Sequence, residues 1–367
     1  MSVLFTPFTL GPRTLKNRIV VAPMCQYSSP DGHAGHWHVM HLGHLAISGA
    51  GLLIIEATAV EAKGRISPDD LGLWSDAHKD SLERVLRSVR AYASIPISIQ
   101  LAHAGRKASV SKPWEGDVQL TPAQGGWVPD APSPIPYAPG EATPHELDHA
   151  GLDRLEASFA AAAKRADALE LAGVELHSAH GYLLHQFLSP LSNHRTDEYG
   201  GSLENRLRFP LRVFKAVRAA LPKNRILGLR LSATDWVAGG WDIEDSIAYA
   251  AKLKTLGCDY IHVSSAGLSP EQRIPVRPGF QVPFAERIRR EAGIPTVAVG
   301  LITEPMQAET IVATGKADMV ALARGMLYDP RWPWHAAAAL GAQVDAPSQY
   351  LRCQPHDKPD LFRKPGA

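Results

Sequence analysis

The segment VELHSAHGY, residues 174–182, is a short apolar run closed by polar residues and a glycine, with helical periodicity resuming beyond it. That is the signature of one β/α unit. Its strand is read as Val174–Ala179 (VELHSA), and seven further runs share the pattern. Three precede it: Arg18–Pro23 (RIVVAP), Leu52–Thr58 (LLIIEAT) and Pro96–Ala102 (PISIQLA). Four follow: Ile226–Leu231 (ILGLRL), Asp259–Ser264 (DYIHVS), Pro295–Gly300 (PTVAVG) and Asp318–Ala323 (DMVALA). The runs are continuous rather than alternating, as expected of parallel strands covered by helices. Eight successive units predict an α/β chain folded as a (β/α)8 TIM barrel.

The spacing places one large insertion. Strand starts are 78 residues apart between the third and fourth runs, where an unadorned barrel needs roughly 31 per unit. Residues 112–149 hold eight prolines and few periodic apolar positions, so they cannot form ladder or helix interior. They are expected to make an ordered capping excursion over the barrel mouth, anchored by Trp114, Trp127, Ile135 and Tyr137. Ser202 and Asp242 are expected to cap helices, the first bent or broken at Pro210, the second ending at Gly257. No linker divides the chain, which is read as one domain, 1–367, with a C-terminal tail from 345 to 367.

The 367 residues are 45% hydrophobic and 20% charged, the balance of a soluble globular protein. Lys and Arg number 38 against 37 Asp and Glu, so the footprint of a nucleic-acid or acidic-membrane binder is missing. Small neutral ligands fit better. Three scattered cysteines, Cys25, Cys258 and Cys353, are too few for a disulfide framework. The opening MSVLFTPFTLGPRTLKNR lacks the order of a signal peptide, and no apolar run reaches membrane-spanning length. A cytoplasmic location is expected.

Barrels of this class assemble their active sites at the carboxyl ends of the strands. Only Glu56 supplies a carboxylate there, which excludes the paired acids of a glycosidase. At the fourth strand end, His177 and His180 straddle the terminus, and Gly181 lets the chain turn so that Tyr182 returns over the same opening. Imidazoles donate to a carbonyl or phenolate oxygen, and a phenol is protonated at neutral pH. Together they could activate an enone. A packed or solvated HxxH pair is the plainer alternative; a zinc pair would need a third ligand. Gly300 and the Ala323-Arg324-Gly325 turn, after strands seven and eight, suit a phosphorylated cofactor. The run His33, His36, His38, His41 and His44 suggests a metal site only weakly, and is better read as a helix with tryptophan and leucine packing inward. No metal is assigned.

PMCQY near the start, EATAV, QLAHAGRKA, HSAHGYLLHQFLSPLSNHRTDEYGGSLENR, LRLSATDW, AVGLIT and the terminal SQYLR together resemble the old yellow enzyme family of flavin-dependent ene reductases. The match spans nearly the whole chain. Cys25 and Tyr27 point to the bacterial xenobiotic-reductase branch. The resemblance implies a non-covalent FMN across the barrel mouth, reduced by NADPH or NADH and reoxidised by an activated alkene or nitro compound in a ping-pong cycle. It implies that Pro23, Met24 and Cys25 run along the flavin edge, that Ala57 lies close to the ring, and that Gln100 bonds its pyrimidine side. Arg230 would sit near N1 and O2, with Gly300, Ala323 and Arg324 at the phosphate. The family often has glycine at 323, so alanine requires a backbone outside the left-handed region. His177 and His180 would grip the substrate oxygen, Tyr182 would protonate the α-carbon, Tyr27 would add a contact, and Cys25 would tune potential and binding. Arg352 would reach a neighbouring subunit's site in a homodimer or higher homo-oligomer. Relatives that act as dienoyl reductases or amine dehydrogenases usually add clustered cysteines and further domains; three scattered cysteines and this length argue against them.

Overall fold

The computed structural model describes residues 2–363; Met1 and the last four residues of the expected tail lie outside the described residues. Eight parallel strands close into a barrel: β1 (Ile19–Val21), β2 (Leu52–Ala59), β3 (Ile97–Ala102), β4 (Gly173–Ser178), β5 (Ile226–Ser232), β6 (Tyr260–Ser264), β7 (Thr296–Ala298) and β8 (Met319–Leu322). Each pairs with the next in sequence, and β8 returns to β1 through Val320 beside Ile19 and Ala321 beside Val20. All eight expected runs are therefore barrel strands, within a few residues of the expected bounds.

Alternation along the strands divides the apolar residues into two cores, because successive side chains point to opposite faces. Val20, Leu52, Ile54, Ile226, Val297 and Met319 fill the barrel. Ile19, Val21, Leu53, Ile55, Val174 and Leu176 face the helices. The sequence reading missed an N-terminal hairpin, Phe8–Leu10 paired antiparallel with Arg13–Leu15. Its Leu10 and Leu15 join the inner core and close the amino end of the barrel.

The helix caps form as expected. Ser202 accepts from the Asn205 amide, and Asp242 from those of Glu244 and Asp245. Helix Leu203–Ala220 continues through Pro210; of the bend or break expected there, the break does not occur. Helix Ile243–Thr255 is followed by Gly257 at φ 84°, the left-handed exit that glycine allows.

Residues 112–149 are built from two 3-10 turns, Pro113–Glu115 and Pro122–Gln124, and the two-residue strands Asp130–Ala131 and His145–Glu146. Trp127 packs into an apolar cluster with Cys25, Tyr27 and Tyr182. Arg106 donates to the carbonyls of Ile135 and Pro136. Trp114 is 66% exposed, yet meets the Tyr27 ring edge-on at 5.9 Å. The tail folds back through a bridge between Val344 and Phe362, with Trp334 against Tyr350 and Phe362. No helix among the described residues is long and apolar enough to cross a membrane.

Candidate active site

The turn after β4 brings His177, His180 and Tyr182 together. The His177 ring lies 5.1 Å from that of His180 and 4.9 Å from that of Tyr182, edge-on to both. Gly181 makes this possible at φ 75°: a Cβ there would lie 2.1 Å from the Gly267 carbonyl oxygen. His180 itself is left-handed at φ 57°, a strained conformation for a non-glycine residue. Two hydroxyls hold it. Its amide donates to Ser232 Oγ at 2.9 Å, and its Nε2 lies 2.7 Å from Ser264 Oγ.

Hydrogen bonding assigns the protons on the imidazoles. The Ala179 amide donates to His177 Nδ1 at 3.2 Å, so in the neutral ring the proton sits on Nε2. That Nε2 lies 3.3 Å from His180 Nδ1. Burial, and next the nearby Arg230 charge, lower the pKa of both histidines well below the usual value. Both are neutral donors at neutral pH. Burial pushes the Tyr182 phenol well up, so it holds its proton.

The loop after β1 carries Pro23, Met24, Cys25 and Tyr27. A bulge between Ile55 and Ala57 turns Glu56 toward this loop. Glu56 accepts from the Gln26 amide at 2.7 Å and bonds His38 Nε2 at 3.1 Å. This is the carboxylate partner that the histidine-rich run lacks locally. Trp37 does not pack inward as expected. It is 45% exposed and clamps the loop from outside through Nε1 to Gln26 Oε1, while Leu42 and Leu45 fill the core. His33 stacks on His78, so these histidines serve separate contacts. Burial raises the Cys25 thiol well above its ordinary pKa, leaving it uncharged. Buried Asp70 accepts from the Ile66 amide and Ser67 Oγ, fixing Ile66 against Tyr27 and Tyr182. Burial also raises its carboxyl to about 7.

Below the mouth is a polar layer that the sequence reading reached only in part. Glu175 accepts from Gln100 Nε2 at 2.7 Å and Tyr260 OH at 3.0 Å, and lies 3.0 Å from His262 Nδ1. Its signal was in the sequence: a carboxylate at an inward position, two residues from His177 on the same strand. Burial would raise its pKa, but His262, Arg230 and Gln100 reverse that, and it is lowered. Arg230 is 8% exposed, and its guanidinium forms no hydrogen bond or ion pair with the described residues; its Nε has no acceptor among them. A guanidinium so placed requires an acceptor from elsewhere.

Ala57, buried on β2, pairs with Gln100 across the ladder. Gly300 takes φ 118°, and a Cβ there would lie 2.5 Å from Gln281 Nε2. Ala323 has φ −105°, outside the left-handed region, so alanine is accommodated. Arg324 is exposed at the start of helix Arg324–Tyr328. Arg352 is also exposed, on the 3-10 segment Ser348–Cys353, and contributes no hydrogen bond to this chain's mouth. Histidine pair, phenol, Cys25, Tyr27, Gln100 and Arg230 thus share one end of the barrel, while Arg352 sits on the tail.

A cleft of about 720 Å³ lies elsewhere, between the tail and the loop at residues 47–51 at the amino end. It gathers no catalytic set, and the chemistry of the side chains identifies the mouth. Among the described residues, His149, Asp197 and Glu198 could share an ion, but they lie at the surface with no further sign of one. The groups at the mouth suit FMN: an unpaired guanidinium for the electron-rich ring edge, and an amide on Gln100 that gives one N–H to Glu175 and keeps its oxygen and second N–H for the ring.

Residues 3–343 match the NADH:flavin oxidoreductase / NADH oxidase family. The chain is 46% identical over 353 residues to an NADPH dehydrogenase of Geobacillus sp. (strain WCH70), covering 96% of this chain and 98% of that protein. Morphinone reductase superposes with a TM-score of 0.77 at 29% identity, over 94% of this chain and 91% of its own. A 2-naphthoyl-CoA reductase complex gives 0.82 at 24% identity, and the match covers 93% of this chain but about half, 52%, of the larger one. That last likeness is one of fold.

Proposed function

The chain belongs to the NADH:flavin oxidoreductase / NADH oxidase family, the old yellow enzyme family, and we propose that it reduces the activated C=C bond of small α,β-unsaturated carbonyl compounds. It is an NAD(P)H-dependent flavin oxidoreductase with FMN as cofactor. The observation that carries the substrate reading is the meeting of two neutral imidazoles and a protonated phenol at the end of β4, above Arg230.

Bound FMN supplies the hydride chemistry, taking two electrons from the nicotinamide and yielding them to the alkene. The rest is work for this chain's side chains. His177 donates from Nε2 to the substrate oxygen, and its tautomer is fixed by the Ala179 amide. His180 becomes a second donor when the Ser264 hydroxyl reverses and donates to its Nε2, shifting the imidazole proton to Nδ1. Two donors on one oxygen draw electron density from the β-carbon. Tyr182 then gives its phenolic proton to the α-carbon and is reprotonated from solvent. Arg230 supports negative charge at the pyrimidine edge of the cofactor, with Gln100 and Ala57 beside it and Pro23, Met24 and Cys25 along the ring. Gly300, Ala323 and Arg324 hold the phosphate. Tyr27 contacts substrate, with the insertion 112–149 as a lid over it.

A homodimer is part of this reading. Trp37, Met40 and Tyr328 are 45%, 62% and 94% exposed, and Arg331 links this region to the tail by donating to the His44 carbonyl and covering Tyr350. A second copy on that face would take Arg352 into its site. A monomer in sedimentation, with an Arg352→Ala variant of unchanged kinetics, would dispose of it.

The test of the activity is an anaerobic titration with NADPH or NADH, followed by 2-cyclohexenone. Bleaching of the visible flavin bands and their return on enone addition are expected. Bleaching without return would remove the enone reading.

A further inference from the structure

We infer that Lys107 is a positioning residue for the proton donor: its ammonium group pins the turn carrying His180 and Tyr182 against the loop that follows β6. The inference rests on the reading of Tyr182 as the group that protonates the α-carbon.

Lys107 ends the short turn Gly105–Lys107 beyond β3. Its Nζ donates to the His180 carbonyl at 3.0 Å and to the Gly267 carbonyl at 2.9 Å. Neither oxygen has another donor among the described residues. The two carbonyls are forced together where the loops cross: a Cβ on Gly267 would lie 2.5 Å from the His180 carbonyl carbon. Two parallel acceptors at such a crossing repel each other and are costly to bury unpaired. One ammonium, with three donors, answers both. The turn that carries Tyr182 is therefore pinned by this contact, while the His180 amide and ring stay held by Ser232 and Ser264.

The same group lies 5.2 Å from the Tyr182 ring centroid and 4.7 Å from that of Tyr137 in the insertion. Besides these two phenols, Arg106 beside it, Asp117 and Glu141 in the insertion, and His177 and His180 on the turn after β4 are the titratable groups facing it; from the β6 loop it meets only backbone. No carboxylate forms an ion pair with it among the described residues. Its charge is thus shared between two carbonyls and two ring faces. When Tyr182 releases its proton, the O–H bond breaks, a C–H bond forms at the α-carbon, and the phenolate left behind faces this cation.

Stopped-flow measurement of the two half-reactions tests the inference on the FMN-loaded enzyme. The Lys107→Met variant is expected to slow reoxidation by 2-cyclohexenone on the order of 10- to 100-fold, with flavin reduction by NADPH changed less than about threefold and affinity for a para-substituted phenol retained. In a Tyr182→Phe background, Lys107→Met should add nothing. Burial lowers the lysine to about 8, so wild-type reoxidation should fall as pH rises through that value. Lys107→Arg, which keeps its charge, should lose that alkaline decline; this variant decides the matter if the methionine variant fails to fold. An effect of Lys107→Met that persists undiminished in Tyr182→Phe, or an unchanged pH profile in Lys107→Arg, would overturn the inference. If Tyr182→Phe alone reoxidises at the wild-type rate, the reading of Tyr182 falls and takes this one with it. If Tyr182→Phe is slow while Lys107→Met is not, only the lysine inference falls.

Discussion

At the amino end of the barrel, Leu10 and Leu15 of the hairpin reach into an interior made mostly of valine, leucine, isoleucine and methionine. At the carboxyl end of the same strands, Arg230, Glu175, His177 and Gln100 are equally buried, yet one of them has no protein partner. Residues at one end gain stability from being out of water, each Leu contributing about 1.5–3 kcal/mol. Those at the other are held out of water against their preference: burial lowers the pKa of His177 and Arg230, while the neighbours of Glu175 outweigh it. Burial therefore has opposite consequences along a single strand, and β5 shows it in five residues, from Ile226 to Arg230.

Exchanging damage between the two ends sharpens the contrast. Tyr182→Phe at the carboxyl end should slow reoxidation by enone by about 10²- to 10⁴-fold while flavin reduction stays within about threefold; equal slowing of both halves, by rapid mixing, would break the assignment. Leu15→Ala at the amino end should cost about 2–5 kcal/mol of stability in chemical denaturation and leave the kinetics of the folded enzyme unchanged. A loss of turnover per folded molecule would mean the ends are not independent. Replacing both His177 and His180 with alanine should weaken phenol binding roughly 10- to 100-fold, two hydrogen bonds at about 1 kcal/mol each, by spectral titration. Melting temperature should hardly fall; unchanged phenol affinity would return the pair to a packing role.

The smallest effect concerns the rim. Burial would raise Glu61, but His103 and Arg154 override it and lower the carboxyl to about 2. A depressed carboxylate contributes stability above its unfolded pKa of about 4, and that contribution is lost as pH falls from about 4 toward 2. Glu61→Gln should therefore cost about 1 kcal/mol at pH 7, and the gap from wild type should close in acid melts. A gap that widens in acid would reverse the sign of this argument.

The barrel was legible because each strand is a continuous apolar run and two of the helices announce their starts with Ser202 and Asp242. The hairpin was not: two three-residue strands around Gly11 and Pro12 are too short to show a period. Trp37 was misplaced because an apolar side chain was assumed to face inward, although its indole has a hydrogen-bond errand outside. His177, His180 and Tyr182 lie within six residues, so local geometry sufficed to bring them together. Lys107 and Ser264 act through loops 73 and 84 residues distant from His180, and no spacing rule reaches that far. Arg230 stood at a strand end as expected; that its guanidinium has no acceptor among the described residues emerged only from its surroundings.

On the proposed reading, that unpartnered guanidinium would make the cofactor part of the protein's lifespan. With an acceptor from FMN over it, the buried cation stabilises the folded chain by mass action; without one, the same group strains the barrel mouth. Cells short of riboflavin would then hold less of this enzyme as well as a less active form of it, because the vitamin-free chain opens more often to proteases.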